Sequence, residues 1–251
     1  MGSYEQNFNR CEKKYLLDET VYRRLISLIY DRLQYDKYRK YKICSIYFDT
    51  PHYDLIRNSI EKPLYKEKLR LRSYGIPDSD DAVFLEIKKK FSGTVYKRRC
   101  TLSYSAAADL CKGKIPEPDE SQIFREACWM ISRYGLQPMV YLSYDRLAMT
   151  GKDDPGLRIT FDTGLRWRIS NLNLADGDLG MYLMPEGNYI MEIKTSGAMP
   201  LWLAAALSSL HIYPTGFSKY GAVYKENLSK LISKTETDKN RKHEIRSEPT
   251  C

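Results

Sequence analysis

The chain is poor in the residues that build metal and disulfide sites. Its six cysteines contain no C-x-x-C pair and no metal-finger spacing, which argues against a structural zinc module. The three histidines, His52, His211 and His243, are scattered, so neither a zinc-protease motif nor a Cys–His nucleophile pair can be assembled from them. We expect reduced thiols, as in a cytoplasmic protein.

Long apolar runs and a glycine-rich phosphate loop are also missing. Residues Met1 to Lys14 are polar and no apolar segment approaches the length of a membrane span, so we expect a cytoplasmic protein without such a span. No G-x-x-x-x-G-K-[ST] loop is present. Any bound phosphate would therefore be held by side chains rather than by a backbone cradle at a helix N-terminus.

Acidic residues are in deficit. Asp and Glu number 32 against 40 Lys and Arg, which gives a net charge of +8. The charges within residues 226–251 nearly cancel, so the positive excess lies in the rest of the chain. This excess favours a polyanionic partner such as a nucleic acid, a membrane surface or a polyphosphate.

Basic and apolar residues alternate with a period of two in five short segments. A strand with this pattern has one apolar face and one cationic face. A solvated strand face would mix Ser, Thr, Gln and both charge signs, whereas here Lys and Arg dominate and the acids recur as Glu-x-Lys. The segments are Lys68 to Arg72, Leu85 to Lys88, Val95 to Thr101, Leu157 to Ile159 and Met191 to Lys194.

The turn and periodicity signals predict more strands than helices. The predicted helices are 18–34, 54–58, 105–111, 121–134, 201–210 and 222–232. The predicted strands are 8–15, 43–49, 64–74, 82–90, 94–102, 138–149, 157–162, 165–169 and 189–195, the last paired with 181–184.

These elements predict an α+β fold with a mostly antiparallel sheet of eight to nine strands. A cationic face repeated on several strands favours closure into a tunnel barrel, with a cationic lumen and helices covering the outside. Like charges about 4 Å apart repel by roughly 4 kcal/mol at an effective dielectric of 20, so the lumen should bind a polyanion. We expect one domain over residues 1–232 and a charged, disordered C-terminal tail over 233–251.

The same segments resemble, in order, the motifs of a known family. This family is the VTC (vacuolar transporter chaperone) polyphosphate polymerase domain, one of the triphosphate tunnel metalloenzymes in the CYTH-like superfamily. The resemblance extends from Phe8 to Glu226. The motifs are Glu12-x-Lys14-Tyr15, Tyr47-Phe-Asp-Thr50, Lys68-Leu-Arg-Leu-Arg-Ser-Tyr-Gly75, Leu85-Glu-Ile-Lys88, Lys97-Arg-Arg99, Tyr144-x-Arg146-x-Ala148, Leu157-Arg-Ile-Thr-Phe-Asp162, Met191-Glu-Ile-Lys194 and Phe217-Ser-Lys-Tyr220.

The resemblance implies an enzyme that transfers the γ-phosphoryl group of ATP to the end of inorganic polyphosphate with Mn²⁺ or Mg²⁺. It assigns a catalytic role to Arg70, Arg72, Lys88, Arg158 and Lys219. It assigns phosphate binding to Lys14, Lys97, Arg99, Arg146, Lys194 and the hydroxyl of Ser218. Glu192 would be the metal carboxylate, and Glu12 and Glu86 would bind metal or hold neighbouring cations.

Two points are left open within this interpretation. A one-residue slip past the turn at Ser92 would present Arg98 to the lumen in place of Lys97 and Arg99. The first strand reads Arg10-x-Glu12-x-Lys14, whereas CYTH triphosphatases typically begin Glu-x-Glu-x-Lys, and the missing acid agrees better with a polymerase than with a two-metal hydrolase.

ATP and polyphosphate are the expected partners, and the alternatives use the same fold. One is an inorganic triphosphatase, and another is a non-catalytic module that binds polyphosphate or inositol pyrophosphate. RNA ranks last and no nucleic acid is expected, because aromatic residues are not visibly interleaved with the basic faces. The sequence leaves open an activating protein or a membrane partner.

Overall fold

The computed structural model describes residues 11–114 and 121–229. Within these ranges, nine strands form one antiparallel sheet and six α-helices accompany it. The strands are β1 Cys11–Leu17, β2 Leu33–Asp49, β3 Tyr65–Tyr74, β4 Ala82–Phe91, β5 Thr94–Ser103, β6 Gln137–Gly151, β7 Arg158–Arg168, β8 Met181–Tyr182 and β9 Tyr189–Thr195.

Polar caps set where most of the helices begin. Asp18, Ser103, Ser121 and Ser218 each accept a hydrogen bond from a backbone N–H of the first turn of the helix that follows. The helices are α1 Glu19–Ile29, α2 Asp54–Ile60, α3 Tyr104–Cys111, α4 Gln122–Tyr134, α5 Leu201–Ser209 and α6 Lys219–Val223, with a 3₁₀ turn at Tyr30–Arg32 and a π-helical turn at Tyr224–Leu228.

The strand order is β1-β9-β7-β6-β2-β3-β4-β5, with β8 paired to β7. In the described ranges, no backbone pairing joins the two terminal strands, β1 and β5. Side chains bring the two sides of the sheet together instead, since Lys14 of β1 donates a hydrogen bond to the carbonyl of Phe217 and Lys68 of β3 donates one to the hydroxyl of the adjacent Ser218. The sheet therefore curls around an interior, which we call the lumen.

Alternation decides which side chains face outward. On one half of the sheet, Leu69, Leu71 and Ile87 pack beneath α3 and α4. On the other half, Ile159 and Ile193 pack beneath α1 and α5. Neighbouring residues of a strand point to opposite faces, so the intervening cations face the lumen. The predicted α+β antiparallel tunnel, with a cationic lumen and covering helices, is confirmed.

An apolar plug fills the lumen near the carboxyl end of β2. Tyr47, Val140 and Trp167 of the inner face pack there against Tyr220 of α6 and Ile56 of α2. The buried carboxylate of Asp49 ties this end together, because it accepts hydrogen bonds from the backbone of α2 and, at 2.9 Å, from the hydroxyl of Tyr220. The cationic part of the lumen lies beyond this plug.

Four local predictions differ from the structure. The helix predicted from 222 begins at Lys219, because the hydroxyl of Ser218 caps it. Strand β2 begins at Leu33, where a helix was expected to end, because pairing with β6 and a register shift between Tyr35 and Lys40 carry the polar segment into the sheet. The predicted strands 157–162 and 165–169 are one strand, since Gly164 adopts φ +60° and continues β7 through a bulge. Strand β8 pairs with β7 and not with β9.

The predicted tail, 233–251, and the last residues of the helix predicted to end at 232 lie outside the described residues. The division into one domain and a tail therefore stays a prediction. None of the described helices has the length and the hydrophobicity needed to cross a bilayer.

Candidate functional site

A square of two lysines and two glutamates lies on the inner face where β1 pairs with β9. The strand register places Glu12 opposite Lys194 and Lys14 opposite Glu192. The Nζ of Lys194 is 2.7 Å from Glu192 and 3.8 Å from Glu12, and the Nζ of Lys14 is 3.3 Å from Glu12 and 3.8 Å from Glu192. We call these residues the β1–β9 square. Each carboxylate therefore lies between two ammonium groups.

Glu192 is the more buried carboxylate of this square. Its burial favours the neutral acid, but the charges of Lys194, Lys14 and Arg146 outweigh that effect and lower the pKa of Glu192 to about 2. Glu192 is therefore ionised at neutral pH. The buried hydroxyl of Thr160, which is opposite Glu192 in the register of β7 and β9, has no hydrogen-bond partner within the described residues.

A second group of charges surrounds Glu86, whose side chain is only 1% exposed. Its carboxylate lies 2.7 Å from Arg70, 2.9 Å from Lys97 and 3.9 Å from Arg72. Burial favours the neutral acid, but these three cations outweigh it and lower the pKa of Glu86 to about 2. We call the four residues the Glu86 cluster. Of the two roles considered for Glu86, this geometry favours that of holding neighbouring cations.

The same cluster resolves the strand register past the turn. Ser92 and Gly93 both have positive φ, which closes a two-residue turn and places Lys97 opposite Lys88 and Arg99 opposite Glu86. Arg98 points to the outer face, where it forms an ion pair with Glu126 of α4. The alternative with Arg98 in the lumen is wrong.

A third group is centred on Asp162, whose side chain is 0% exposed. Arg146 donates two hydrogen bonds to this carboxylate, at 2.6 and 2.7 Å, and Lys219 donates one at 2.6 Å. Burial works against ionisation, but Lys219 and Arg146 hold the pKa of Asp162 below its usual range. We call these three residues the Asp162 cluster.

The start of α6 positions Lys219. The hydroxyl of Ser218 accepts a hydrogen bond from the backbone N–H of Gly221 at 3.2 Å, which begins the helix and leaves Lys219 as its first residue. The ammonium group of Lys68 donates a hydrogen bond to the same hydroxyl at 3.3 Å. Lys14 donates to the carbonyl of Phe217 at 3.4 Å, so this loop lies against the lumen.

Four of the predicted ligands belong to none of these groups. Ser218 caps α6, and Lys88 lies between Lys68 and Lys97 in the strand register. Arg158 forms an ion pair with Asp36 at 2.7 Å, while its buried Nε has no hydrogen-bond partner within the described residues. Arg99 lies over the ring of Phe84, with 4.8 Å between the guanidinium carbon and the ring centroid. The structure thus brings most of the predicted residues into the three groups, and the register places Arg99 opposite Glu86 and Arg158 opposite Lys194.

The sequence analysis missed four residues of this site. Lys68 shares its face with Arg70 and Arg72, and Asp162 shares its face with Arg158, so strand parity alone could have indicated both. Tyr47 accepts a hydrogen bond from Arg70 at 3.0 Å. Asp36 and Arg158 are 122 positions apart in the chain, and no local sequence pattern indicates that they pair.

Lys68 and Tyr47 have shifted ionisation. Burial and the positive charges of Lys66, Lys88 and Lys14 lower the pKa of Lys68 to about 8. Burial alone would raise the pKa of Tyr47, but Arg70, Arg72 and Lys68 outweigh it and lower that pKa to about 8. Burial is the larger cause for Lys68, and the excess of positive charge in the lumen contributes to both shifts.

We expect ultraviolet difference spectra to show a tyrosine that ionises near pH 8, and this step should be absent from the Tyr47→Phe variant. Bound tripolyphosphate should raise this pKa, because its negative charge disfavours the tyrosinate. The Tyr96→Phe variant, which changes an exposed ring on the outer face, should retain the step. Two results would contradict the excess of positive charge in the lumen. One is a wild-type titration curve without any tyrosine ionisation below the ordinary range, and the other is an ionisation whose pKa tripolyphosphate does not change.

Aromatic rings also share the inner face, contrary to the expectation from sequence. Tyr41, Tyr74 and Phe84 lie on β2, β3 and β4, and each contacts the next with ring centroids 5.8 and 5.6 Å apart. Tyr74 has the same parity as Arg72, and Phe84 has the same parity as Glu86. Sequence inspection missed them because they stand at the ends of the basic segments rather than within them.

The curled antiparallel sheet, its covering helices and its cationic lumen define a protein of the triphosphate tunnel fold. The model of the VTC domain family matches residues 9–226. The chain therefore belongs to the VTC domain family, as the sequence motifs indicated. No curated protein sequence matches it.

Solved structures resemble this chain at low sequence identity. A candidate adenylate cyclase from Bacillus halodurans is 17% identical with a TM-score of 0.51, over 82% of this chain and 92% of that one. A second candidate adenylate cyclase, from Vibrio parahaemolyticus, is 13% identical with a TM-score of 0.43, over 88% and 97%. The Mimivirus capping enzyme triphosphatase is 11% identical with a TM-score of 0.34, over 83% and 90%. At 17% identity the likeness to the Bacillus halodurans structure concerns the fold alone.

Proposed function

We propose that this protein is an ATP-dependent polyphosphate polymerase, which transfers the γ-phosphoryl group of ATP to the end of an inorganic polyphosphate chain. Membership of the VTC domain family supports phosphoryl chemistry in the lumen. One observation about the lumen favours a polymerase over a hydrolase. Lysines and arginines outnumber carboxylates there, and Glu12, Glu86, Asp162 and Glu192 are all ion-paired with them.

This pairing matters because hydrolysis and polymerisation make different demands. A hydrolase must position or deprotonate a water molecule, usually with a carboxylate whose pKa is near the working pH. The pKa values of Glu86, Asp162 and Glu192 are instead lowered. A terminal phosphate of polyphosphate is already largely ionised near neutral pH and needs no strong base, so this lumen suits a phosphate acceptor better than water.

In the proposed reaction, an oxygen of the terminal polyphosphate phosphate forms a bond to the γ-phosphorus of ATP. The bond between that phosphorus and the β,γ-bridging oxygen breaks, and ADP leaves with the electron pair. Charge spreads over the equatorial oxygens in a loose transition state. Arg70, Arg72 and Arg158 would hold these oxygens through their rigid forks, and Lys88 and Lys219 would act as point charges.

The remaining predicted ligands would hold the rest of the two phosphate chains. The hydroxyl oxygen of Ser218 already accepts hydrogen bonds from the first turn of α6 and from Lys68, so its proton is the group available to a phosphate. The residues with this proposed role are Lys14, Lys97, Arg99, Arg146, Lys194 and Ser218.

A divalent metal fits the lumen only with the help of the substrate. The described residues contain no group of three or more His, Cys, Asp or Glu side chains arranged to hold an ion. Mg²⁺ and its analogues are commonly held by one or two carboxylates together with substrate phosphates, and Glu192 with Glu12 provides that set. Mn²⁺ or Mg²⁺ bound there would reduce the repulsion between the two phosphate chains.

The test is an incubation of the purified protein with ATP and Mn²⁺, with and without a short polyphosphate primer, resolved on a gel. A ladder of lengthening polyphosphate accompanied by ADP supports the proposal. Orthophosphate without chain growth would replace it with a triphosphatase. Unchanged ATP despite measurable tripolyphosphate binding would favour a non-catalytic binding module.

A further inference from the structure

Two of the three inner-face rings at one mouth of the lumen have no structural role that the cores explain. Tyr41, Tyr74 and Phe84 form a continuous row across β2, β3 and β4, which we call the aromatic ledge. Among the hydrophobic cores of the described residues, Tyr41 joins the plug, whereas Tyr74 and Phe84 belong to none. Tyr74 is 48% exposed. A large ring therefore faces water on the same face of β3 as Arg70 and Arg72.

The neighbours of the ledge restrict what could cover it. Ring planes along the row are inclined by 63° and 71°, so the three rings present faces in different directions. Arg99 already covers Phe84, and Tyr41 is half-buried near Arg146 and Arg158. Tyr74, in the middle of the row, offers the largest open aromatic surface. Uncharged ring faces do not attract phosphate, so this surface suits a planar, apolar group.

The ledge also lies at a suitable distance from the cations. Tyr74 and Arg72 are two residues apart on one face of β3, which corresponds to about 7 Å along the strand. A ribose can bridge that separation between a phosphate held by the Glu86 cluster and a base on the ledge. A nucleoside triphosphate entering with its phosphates first would therefore bring its base to Tyr74.

We infer that the aromatic ledge is the nucleobase subsite of the lumen, where the base of a nucleoside triphosphate stacks on Tyr74. This inference rests on the proposed use of a nucleotide as phosphoryl donor. Stacking accepts any base and is stronger for larger rings, so purine nucleotides should bind more tightly than pyrimidine nucleotides. A tripolyphosphate or polyphosphate chain has no base and gains nothing from the ledge.

The test measures the affinity of the full chain for ATP and for tripolyphosphate by calorimetry, in metal-free buffer so that neither ligand turns over. The Tyr74→Leu variant should bind ATP about fivefold to a hundredfold more weakly, the usual range for a lost base–aromatic stack, and tripolyphosphate as tightly as the wild type. The matched control is Tyr96→Leu, which removes an exposed ring on the outer face and should change neither affinity. Unaltered ATP binding in Tyr74→Leu, or an equal loss for both ligands, would overturn the inference.

A second measurement needs no variant and so does not depend on folding of the mutant. Wild-type protein should bind ATP more tightly than ribose 5-triphosphate, which lacks the base, by the same factor. Equal affinity for these two ligands would overturn the subsite, even if the protein extends polyphosphate from ATP. A clear preference for ATP without any chain growth would support the subsite and refute the polymerase.

Discussion

Arg70→Gln is expected to lower ATP-dependent polyphosphate synthesis by about a hundredfold or more, the usual cost of removing one fixed donor to transition-state charge. Arg70 is the centre of the inner face of β3: it contacts Glu86 at 2.7 Å and the hydroxyl of Tyr47 at 3.0 Å. Both contacts hold its guanidinium fork in one orientation. A glutamine is too short and uncharged, so it cannot stabilise charge that spreads over the transferred phosphoryl group.

The control is a second arginine of the same sheet, whose side chain lies on the outer face. Arg98 of β5 lies on the outer face with Glu126, so Arg98→Gln removes the same charge from the chain without touching the lumen. It should retain wild-type synthesis. Initial rates of ADP release and chain growth, measured at saturating ATP and primer, decide the comparison. Equal activities of the two variants would show that charge in the lumen does not serve the reaction.

Asp162→Asn is expected to destabilise the ligand-free protein by about 3–5 kcal/mol, the usual cost of removing one partner from a buried ion pair. Asp162 is fully buried and neutralises both Arg146 and Lys219. An amide leaves these two cations close together without the carboxylate that they share. Denaturant unfolding of the wild type and the variant measures the difference.

The same variant should regain stability when a polyanion is present. Tripolyphosphate supplies the negative charge that the substituted amide lacks, so it should raise the unfolding free energy of Asp162→Asn by more than that of the wild type. The control is Asp145→Asn, which weakens a surface pair with Lys42 and should cost within about 1 kcal/mol. A small loss in Asp162→Asn, or the same gain from tripolyphosphate in both proteins, would contradict the role of Asp162 as an internal counter-ion.

The Asp162 cluster also predicts a direction for the pH dependence of stability. Although burial opposes it, the charges of Lys219 and Arg146 lower the pKa of Asp162 in the folded protein. A lowered folded-state pKa contributes stability that is complete above the unfolded-state pKa of the carboxyl and is lost as the pH falls through the folded-state pKa. Acid should therefore destabilise the wild type more steeply than Asp162→Asn, and unfolding free energies measured over a pH series check this difference.

Strand parity explains how much of this site the sequence could reveal. The alternation in Lys68 to Arg72 and in Leu85 to Lys88 identifies residues that share a face, and that property depends only on the strand period. The short turn at Ser92 sets the register between β4 and β5 in the same local way. Predictions of this kind held because the information lies within a few residues of chain.

Relations between distant strands could not be obtained in the same way. Arg158 pairs with Asp36 only because the sheet curls, and Lys219 pairs with Asp162 only because α6 packs into the plug. Strand β2 extends back to Leu33 because β6 offers it a partner, although its exposed residues show no alternation. Which carboxylate neutralises which cation is therefore a property of the tertiary register.

The most direct test of the central claim follows the γ-phosphate itself. Purified protein is incubated with Mn²⁺, a polyphosphate primer and ATP labelled only in the γ-position, and label is counted in polymer and in orthophosphate. A polymerase working in this lumen places the label in polymer, in the phosphates added to the end of the primer, with one ADP for each phosphate added. Label found only in orthophosphate, with the primer unchanged in length, would contradict the account.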